Sequence, residues 1–460
     1  MMNIHRTTRL IILLLCGLLV AGCNARCSSD KAGEASGRRP NVVLIVTDTV
    51  RSDHTSLCGY KHPTTPSFER FARLPGASYT CEAVAPGSWT VPSHASFFTG
   101  VDPTIHRTHS IVGKLGSFDG WGSHNRTLDK TLPTLAEKMN AKGYITAAYS
   151  ANPVVSDGMG LLRGFQHKQV SKDWYQYFGA DFGQGLVGFM KKLPTSKPLF
   201  LFINIADAHQ PWQPVPEGIP WASPAPKFSY PKKRANSFWR KYVEQRATPD
   251  ESAAGLKRVT EQYDHSMYIA DRNLGTAVDW LEENNWCDWG CRFIVVSDHG
   301  EFLGEHFLLD HGHYVYTPLV RVPILTWGFD EPIKFPNPVS ATEVFNLALE
   351  GRLTEKALPV TSMAWPHTRR CHHTGGKAFC STSAALWNGD TEKLLFMDDK
   401  YYSFDLKKDP SEDAPAPLST HPLLGELKNI AERVVRDRPD TAKEIDTEAV
   451  EQLRALGYLN

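Results

Sequence analysis

Apolar and polar positions alternate in blocks along most of this chain, and the blocks predict its secondary structure. Continuous apolar runs that stop at polar turn residues are typical of buried parallel strands. Segments whose apolar residues recur every three or four positions are typical of helices packed on such a sheet. The predicted strands are 41–46, 144–149, 198–205, 292–296 and 321–327, and the predicted helices are 65–74 (capped by Thr65), 131–142 and 259–285.

The order of these elements predicts the fold class and the division into domains. Strands that alternate with helices indicate an α/β protein with a mainly parallel central sheet. After roughly residue 350 the alternation weakens, a hairpin is predicted over 392–404 around Asp398-Asp399, and a closing helix over 446–456. We therefore predict a signal segment (1–22), a tether (23–40), a catalytic domain (41–350) and a smaller C-terminal subdomain (351–460).

Acidic residues and histidines follow three of the predicted strands at the point where each strand ends. Asp48 follows the first, Asp207 and His209 follow the third, and Asp298 and His299 follow the fourth. Ligands of open α/β sheets bind outside the carboxyl ends of the strands, so we expect these side chains to form one site. With a threonine hydroxyl they would make an oxygen-rich site for a divalent metal cation, whether zinc, manganese, magnesium or calcium.

The stretch from Trp89 to Gly100 supplies that threonine. Pro92 suits the first turn of a helix and Gly100 suits its left-handed end, which places Thr90 just ahead of a helix N-terminus. The free backbone N–H groups there favour an anion. The Thr90 hydroxyl therefore has two interpretations. It is a helix cap, or it is a nucleophile that attacks a phosphate or sulfate ester held by the same N–H groups.

Length, charge and aromatic content bound the class of protein. The 460 residues allow a large core in one or two domains. Basic and acidic residues number 50 each, so bulk charge indicates no nucleic-acid partner. An aromatic content of 11% suits a globular enzyme with substrate pockets. The insertion 213–250 carries basic clusters at 232–234 and 240–241, which form either a solvated face or a surface for an anionic envelope polymer or lipid.

The first 22 residues are predicted to be a cleaved export signal. Arg6 and Arg9 precede an apolar run, 10–20, that is too short to span a bilayer. Val-Ala-Gly-Cys at 20–23 resembles the lipobox of bacterial lipoproteins, which implies acylation of Cys23 and a lipid anchor in the membrane. An ordinary signal with an incidental cysteine is the alternative. Asn24 stands where an aspartate would retain a lipoprotein in the inner membrane, so an outer-membrane location in the bacterial cell envelope is expected, facing the periplasm or the outside.

Seven cysteines remain once Cys16 in the signal and the lipidated Cys23 are set aside. An exported domain permits disulfides, although pairing cannot be proved from sequence. Zinc binding, with His372 and His373 nearby, is the alternative for the two short pairs. The candidate pairs are Cys58 with Cys81, Cys287 with Cys291 and Cys371 with Cys380, with Cys27 left over.

Seven segments of the chain resemble the sulfatase family within the alkaline phosphatase superfamily. They are 41–60 (NVVLIVTDTVRSDHTSLCGY), 89–100, 207–212 (DAHQPW), 297–305 (SDHGEFLGE), 321–323, 401–410 and 453–459. Together they span almost the entire mature chain. The resemblance implies an alkaline phosphatase-like three-layer α/β fold and a metal-dependent ester hydrolase with a small or polymeric anionic ester as substrate. The oligomeric state is not predicted.

The nucleophile position departs from the sulfatase pattern. Sulfatases carry Cys or Ser in a Cys/Ser-x-Pro-x-Arg motif and oxidise it to formylglycine, whereas 90–94 reads Thr-Val-Pro-Ser-His. Threonine cannot become formylglycine, and His94 replaces the arginine. Asp48, Arg51 and Asp53 resemble the Asp-x-x-Arg-x-Asp arrangement of the superfamily's phosphodiesterases and phosphoethanolamine transferases, which use an unmodified threonine.

Carried over residue by residue, the resemblance assigns roles within the site. Thr90 would be the nucleophile. His94, Asn152 and His209 would contact the substrate, and His209 or His311 would serve the leaving group. One cation is expected at Asp48, Thr90, Asp298 and His299, and two are conceivable if Asp207, His209 and His311 hold another.

The first interpretation is a hydrolase of phosphate or phosphonate esters, because an unmodified threonine favours phosphorus. Three alternatives stay open. One is a sulfatase that acts without formylglycine, and another is a transferase that moves a phospho-headgroup to an acceptor alcohol. The third is a non-catalytic protein that keeps the fold and binds anions in the same pocket.

Overall fold

The computed structural model describes residues 39–112, 123–172, 179–226, 237–365, 372–374, 377–379 and 382–437. Several predictions lie outside these residues and are not addressed by the structure. They concern the export signal, Cys23, Cys27, the third cysteine pair, the basic cluster 232–234 and the helix 446–456. Among the described helices, none combines the length and apolar character that crossing a membrane requires.

The strands and helices are numbered in chain order. The strands are β1 (Asn41–Thr47), β2 (Ser78–Val84), β3 (Ser110–Val112), β4 (Ser123–Asn125), β5 (Ile145–Ser150), β6 (His167–Val170), β7 (Leu199–Ile205), β8 (Cys291–Ser297), β9 (Phe302–Leu303), β10 (Leu309–Asp310), β11 (Arg321–Trp327), β12 (Val339–Ser340), β13 (Thr361–Ala364), β14 (His372–Thr374), β15 (Lys377–Phe379), β16 (Ser383–Asn388), β17 (Glu392–Met397), β18 (Lys400–Asp405) and β19 (Ala416–Pro417). The α-helices are α1 (Pro66–Ala72), α2 (Thr90–Thr99), α3 (Pro103–His106), α4 (Leu135–Ala141), α5 (Ala180–Met190), α6 (Phe238–Val243), α7 (Pro249–Glu283), α8 (Thr317–Val320), α9 (Val344–Glu350) and α10 (Leu424–Arg436).

The central sheet has the strand order β12-β2-β11-β8-β1-β7-β5-β6. The five strands from β8 to β6 run parallel, whereas β11 is antiparallel to both of its neighbours. Every residue of β1 is buried, because the strand lies between two others and is covered on both faces. This explains why its sequence is a continuous apolar run. The predicted mainly parallel α/β fold is confirmed.

The helices form two groups that cover the sheet as the outer layers. One group contains α1, α5 and α7, and the other contains α2, α4 and α9. The long helix α7 begins at Pro249, ten residues before the predicted start, because Thr248 and Glu251 form a capping box. Helix α4 begins at Leu135, after the predicted start at 131, because a second capping box joins Thr134 and Glu137.

The N-terminus of α1 is capped by a distant residue. Thr65 occupies the predicted N-cap position, but its side chain makes no capping bond. Its hydroxyl instead accepts from the Leu57 N–H at 3.3 Å. The N–H groups of Ser67 and Phe68 donate to the Asp271 carboxylate of α7, at 2.7 and 3.0 Å. The prediction that Thr65 caps the helix through its side chain is therefore wrong, because α7 brings a charged acceptor to the same place.

A second, antiparallel sheet follows in the order β13-β16-β17-β18-β19, with α10 packed on it. Its centre is the predicted hairpin, formed by β17 and β18 around Asp398-Asp399. Helix α10 was not predicted. The sheet contacts the catalytic loops directly: the Met363 N–H donates to the Pro86 carbonyl oxygen at 3.0 Å.

A buried ion pair is another link between this sheet and the rest of the chain. Lys393 of β17 lies 2.5 Å from Glu412 Oε1, and neither side chain is exposed to solvent. Lys393 Nζ also donates to the Val315 carbonyl oxygen at 2.6 Å, and Glu412 Oε2 accepts from the Thr317 N–H at 2.6 Å. The pair thus holds the loop that follows β10.

Two of the candidate disulfides are confirmed. Cys58 and Cys81 are joined with their Cα atoms 5.9 Å apart, and Cys287 and Cys291 with theirs 5.0 Å apart. The first bond fastens the loop after β1 to β2. The second closes the turn between α7 and β8, where the sequence leaves a Cys-Asp-Trp-Gly-Cys loop.

Candidate active site

Thr90 is the first residue of α2, and its hydroxyl faces the ends of the central strands. Gly100 ends the helix with a φ of 73°, as predicted, but Trp89 and not Thr90 holds the N-cap position, in an extended conformation. Thr90 Oγ1 lies 3.3 Å from Asn152 Nδ2 and 3.5 Å from His299 Nε2. These contacts join the hydroxyl to the site, which favours a chemical role over that of a helix cap.

Asp48, Asp298 and His299 meet at the carboxyl ends of β1 and β8. All three are fully buried, and their ligand atoms lie within 4.8 Å of one another. His299 Nε2 is 3.6 Å from Asp48 Oδ1 and 3.5 Å from Asp298 Oδ2. Metal bonds of about 2.1 Å in tetrahedral geometry place neighbouring ligand atoms about 3.4 Å apart. The spacing around His299 Nε2, Thr90 included, is therefore that of ligands around one cation.

Two carboxylate oxygens in this group have no hydrogen-bond partner among the described residues. They are Asp48 Oδ1 and Asp298 Oδ2. The other two oxygens are held in place: Asp48 Oδ2 accepts from Asn152 Nδ2 at 2.6 Å, and Asp298 Oδ1 accepts from the N–H groups of Thr49 and His299 at 3.2 and 2.9 Å. A buried carboxylate oxygen requires a donor or a cation, so a divalent cation fits this site.

The imidazole of His299 is oriented as a metal ligand. Its Nδ1 donates to the Gly300 carbonyl oxygen at 2.8 Å, which leaves the lone pair on Nε2. Burial lowers the pKa of His299 well below its usual range, so the ring is neutral. Gly300 is required here, because a Cβ at this position would lie 2.0 Å from the Pro318 carbonyl oxygen.

Burial also raises the pKa values of the two acids, Asp48 and Asp298. It raises the pKa of Asp48 to about 7, and it raises the pKa of Asp298 well above the usual range, with the neighbouring Asp48 charge adding to the effect. A bound cation reverses both shifts, because positive charge favours the ionised carboxylates. The site is therefore electrostatically unfavourable for two free carboxylates and favourable for a carboxylate pair with a metal.

The residue after Asp48 has a strained backbone. Thr49 has a φ of 59°, which β-branched residues rarely adopt. The Thr49 carbonyl oxygen accepts from the Tyr263 hydroxyl at 2.6 Å, and the next N–H, of Val50, donates to Ser297 Oγ at 2.9 Å. Strain of this kind costs about 1–3 kcal/mol and concentrates at functional sites.

His94 lies in the interior, beside Asp298 of the candidate site. It is fully buried, its Nδ1 donates to the Thr90 carbonyl oxygen at 2.9 Å, and its ring packs against Phe98 and Phe202. Burial lowers the pKa of His94 to about 4, so it carries no charge for an anion. His94 thus supports the first turn of α2, its Nδ1 also lies 3.6 Å from Asp298 Oδ2, and its predicted substrate contact stays a prediction.

The predicted second ligand set is not brought together. The Asp207 carboxylate accepts from the Gly179 N–H at 2.6 Å and from Asn273 Nδ2 at 2.7 Å. Among the described residues, two groups have ligand atoms close enough together to hold a metal ion, and Asp207 belongs to neither. His209 and His311 do border the site, with ring centroids 4.9 Å apart. Asp207 is thus corrected from a candidate ligand to an acceptor that joins α5 and α7.

Two buried acids beside His311 were missed as candidates. Glu301 and Asp310 are fully buried, and their carboxylates lie with His311 in a second group whose ligand atoms are within 4.8 Å of one another. The signal in the sequence was the tripeptide Asp-His-Gly, which occurs at 298–300 and again at 310–312.

Comparisons of the sequence with known proteins agree on one family. The profile of the family Sulfatase matches residues 40–345. The chain is 21% identical to Arylsulfatase of Clostridium perfringens over 81% of this chain and 89% of that protein. It is also 21% identical to Phosphatidylethanolamine transferase Mcr-2 of Escherichia coli over 60% of this chain, a match that spans 46% of that protein's length.

A solved structure shows the same fold. The phosphonate monoester hydrolase of Agrobacterium radiobacter superposes with a TM-score of 0.56 at 18% identity, covering 92% of this chain and 96% of that chain. At this identity the likeness is one of architecture. It includes the C-terminal part of the chain as well as the central sheet.

Proposed function

The chain belongs to the sulfatase family and is an ester-hydrolysing enzyme, and from this premise we propose that Thr90 is its nucleophile at a divalent cation. One observation carries the proposal. Thr90 Oγ1 lies 3.5 Å from His299 Nε2, beside the carboxylate oxygens of Asp48 and Asp298 that have no hydrogen-bond donor among the described residues.

Asp48, Thr90, Asp298 and His299 would hold the cation. When bound, it would lower the pKa of the Thr90 hydroxyl and neutralise the ester oxyanion. Two carboxylates, an imidazole and a hydroxyl suit zinc or manganese, and the oxygen-rich set also accepts magnesium or calcium.

Asn152 and α2 would prepare the attack. Asn152 Oδ1 accepts from the Val154 N–H at 2.8 Å, which turns Nδ2 toward Thr90 and Asp48. The first N–H groups of α2 lie beside Thr90 and favour a non-bridging oxygen of the ester. The chain thus orients the hydroxyl and the anion against each other before any bond changes.

The leaving group would be protonated by a histidine. The Thr90 hydroxyl would lose its proton to solvent, and its Oγ1 would form a bond to phosphorus or sulfur while the bond to the ester oxygen breaks. That oxygen would take a proton from His209 or His311. His209 Nδ1 donates to the Gln210 carbonyl oxygen, which orients the ring beside His311. Water then releases Thr90, and an acceptor alcohol in the place of water would make the enzyme a transferase.

We propose phosphate or phosphonate esters as the substrate class. Threonine cannot supply the formylglycine of sulfatases, and the chain is similar to a phosphatidylethanolamine transferase in sequence and to a phosphonate monoester hydrolase in fold. Sulfate ester hydrolysis without formylglycine is the second candidate, favoured by the longer match to an arylsulfatase.

The test is hydrolysis of matched nitrophenyl sulfate, phosphate monoester, phosphodiester and phosphonate by metal-loaded protein. We expect turnover of a phosphorus ester that falls by at least about 10³-fold in Thr90→Ala and is partly kept in Thr90→Ser. Thr99→Ala is the matched control, because it removes a buried hydroxyl from the other end of the same helix.

Other outcomes would change the assignment. Sulfate turnover that survives Thr90→Ala would remove Thr90 as the nucleophile. Equal losses in Thr90→Ala and Thr99→Ala would show damage to the helix and no chemical role.

We also propose that Cys23 anchors the enzyme by lipid in the cell envelope, supported by the lipobox-like sequence at 20–23. In a bacterial expression host, the full chain should partition into the detergent phase of a Triton X-114 extraction, and Cys23→Ala should partition into the aqueous phase. Equal partitioning of the two chains would contradict a lipid anchor.

A further inference from the structure

We infer that the buried hydroxyl of Tyr263 positions the two proposed metal-binding aspartates, because it holds the strained backbone at Thr49. The inference rests on the proposed function, since it assigns a positioning residue to the proposed cation site. Tyr263 lies on α7, is fully buried, and is not among the predicted site residues. It acts through the main chain, without contacting the cation or the substrate.

The Tyr263 hydroxyl bonds to both sides of the turn that follows Asp48. It donates to the Thr49 carbonyl oxygen at 2.6 Å and accepts from the Arg51 N–H at 3.0 Å. A phenolic hydroxyl can make both bonds at once, since it is a donor and an acceptor. Burial raises the pKa of Tyr263 well above its usual range, so the proton that the first bond requires stays on the oxygen. The turn 49–51 is thus bonded to α7 through two backbone groups.

This turn determines where the backbone N–H of Thr49 points. The Asp48 N–H still donates to the Ile205 carbonyl oxygen of β7, at 2.8 Å. At Thr49 the φ of 59° changes the direction of the chain, and the Thr49 N–H donates to Asp298 Oδ1 at 3.2 Å. The peptide unit between Asp48 and Thr49 therefore holds the carboxylate of Asp298, and it ties the two acids to each other.

The bond from Thr49 orients Asp298 toward the cation site. Asp298 Oδ1 accepts from the N–H groups of Thr49 and His299. Asp298 Oδ2 makes no hydrogen bond with the described residues and lies 3.5 Å from His299 Nε2. Without the Thr49 bond, one of the two donors that fix the carboxylate is lost. Loss of such a partner typically weakens metal binding by about 10- to 100-fold.

The side chain of Thr49 does not stabilise the turn. β-Branched residues rarely adopt a positive φ, whereas glycine adopts it readily. Thr49 Oγ1 is buried and makes no hydrogen bond with the described residues. The bonds to the backbone must therefore offset the strain, and Tyr263 makes two of them. A glycine at this position would need much less of that support.

The test measures the affinity of the metal-stripped full chain for Zn²⁺ and for Mn²⁺, by competition with a chromogenic chelator. Tyr263→Phe removes a single oxygen atom, and we expect it to weaken binding by about 10-fold or more. In the Thr49→Gly background the same substitution should cost less than about threefold, because the strain that Tyr263 offsets is gone. This second measurement separates positioning from a general loss of stability.

Tyr149→Phe is the matched control. Tyr149 is also fully buried, and its hydroxyl donates to the Phe182 carbonyl oxygen of α5 at 3.2 Å. We expect Tyr149→Phe to lower the melting temperature, as Tyr263→Phe does, but to leave the affinity for both ions unchanged.

Three results would overturn the inference and leave the proposed function intact, provided that the wild type binds an ion. They are an unchanged affinity in Tyr263→Phe, an equal loss in Tyr149→Phe, and a loss from Tyr263→Phe that is just as large in the Thr49→Gly background. A wild type that binds neither ion would overturn the proposed function and this inference with it.

Discussion

Asn152 joins the two residues on which the proposed chemistry depends. Its Nδ2 donates to Asp48 Oδ2 at 2.6 Å and lies 3.3 Å from Thr90 Oγ1. Replacement of Asn152 by Leu keeps the volume but removes the donor. We expect kcat to fall by about 10²-fold, the usual cost of one preorganised donor, while the metal content measured by elemental analysis stays that of the wild type.

Asn140→Leu is the matched control for Asn152→Leu. Asn140 is half-buried, whereas Asn152 is fully buried, and it too is bonded through its amide, to the Gly164 carbonyl oxygen and the Thr146 hydroxyl, but near the opposite end of β5. Equal losses of kcat in the two variants would show that Asn152 acts only on the fold. Loss of the metal in Asn152→Leu would make it a support of Asp48 and not of Thr90.

At the scale of residues, the sequence predicted those members of the candidate site that closely follow a predicted strand. Asp48, Asp298 and His299 were predictable because each lies within three residues of the end of an apolar run. Asp207 has the same signal but a different partner, since Asn273 of a helix far along the chain occupies its carboxylate. Glu301 lies four residues beyond the end of β8, and Asp310 lies in β10 outside the central sheet, so the fold of the loop between them brings both acids to His311.

At the scale of elements, the cap of α1 predicts how stability depends on pH. Burial raises the pKa of Asp271 to about 6, so the folded protein binds this proton more tightly than the unfolded chain. Its contribution to stability is full below about pH 4 and is lost as the pH rises through 6. Relative to Asp271→Asn, the wild type should lose on the order of 2–3 kcal/mol between pH 4 and 7. Urea unfolding at these two pH values measures the change.

Asp279→Asn is the control for Asp271→Asn. Asp279 lies two turns further along α7, where it forms an exposed ion pair with Arg70. Its difference from the wild type should stay within the small range of surface pairs, below about 1 kcal/mol, at both pH values. If the unfolding free energies of Asp271→Asn and the wild type differ by the same amount at pH 4 and pH 7, burial does not raise the pKa of Asp271.

Element boundaries were less predictable than element types, and the caps explain why. Periodicity placed α7 and α4 correctly but could not fix their starts, which depend on the capping boxes at Thr248 and Thr134. Helix α10 was missed although its buried residues recur every three or four positions, so periodicity was sufficient to predict it. The strand β11 was predicted, but its antiparallel direction was not, since direction leaves no mark in an apolar run.

At the scale of the whole molecule, the pair Lys393–Glu412 links the second sheet to the loop that follows β10. Lys393→Met leaves the Glu412 charge buried without a partner, so the free energy of unfolding should fall by about 3–5 kcal/mol. Lys393→Met combined with Glu412→Gln removes both charges and should recover most of that loss. Unfolding by guanidinium, followed by circular dichroism, measures both variants.

The same two variants separate stability from activity. Glu412 holds the Thr317 N–H, at the end of the loop that begins with His311, so kcat should fall in Lys393→Met even where the protein is fully folded. If the double variant is no more stable than Lys393→Met, the loss of stability does not come from the unpaired Glu412 charge. Lys408, which pairs with Asp405 on the surface, offers the control Lys408→Met, which should change neither quantity.

The bond between Met363 and Pro86 has a consequence for the order in which the protein matures. Every candidate site residue precedes residue 312. The Pro86 carbonyl oxygen, four positions before Thr90, nevertheless accepts its hydrogen bond from Met363 of β13, which is synthesised some 270 residues later. We therefore expect the active site to be complete only after the C-terminal strands have been made and have folded. A chain stopped near residue 350 would contain every proposed ligand and the nucleophile, and would still lack the support that holds them in register.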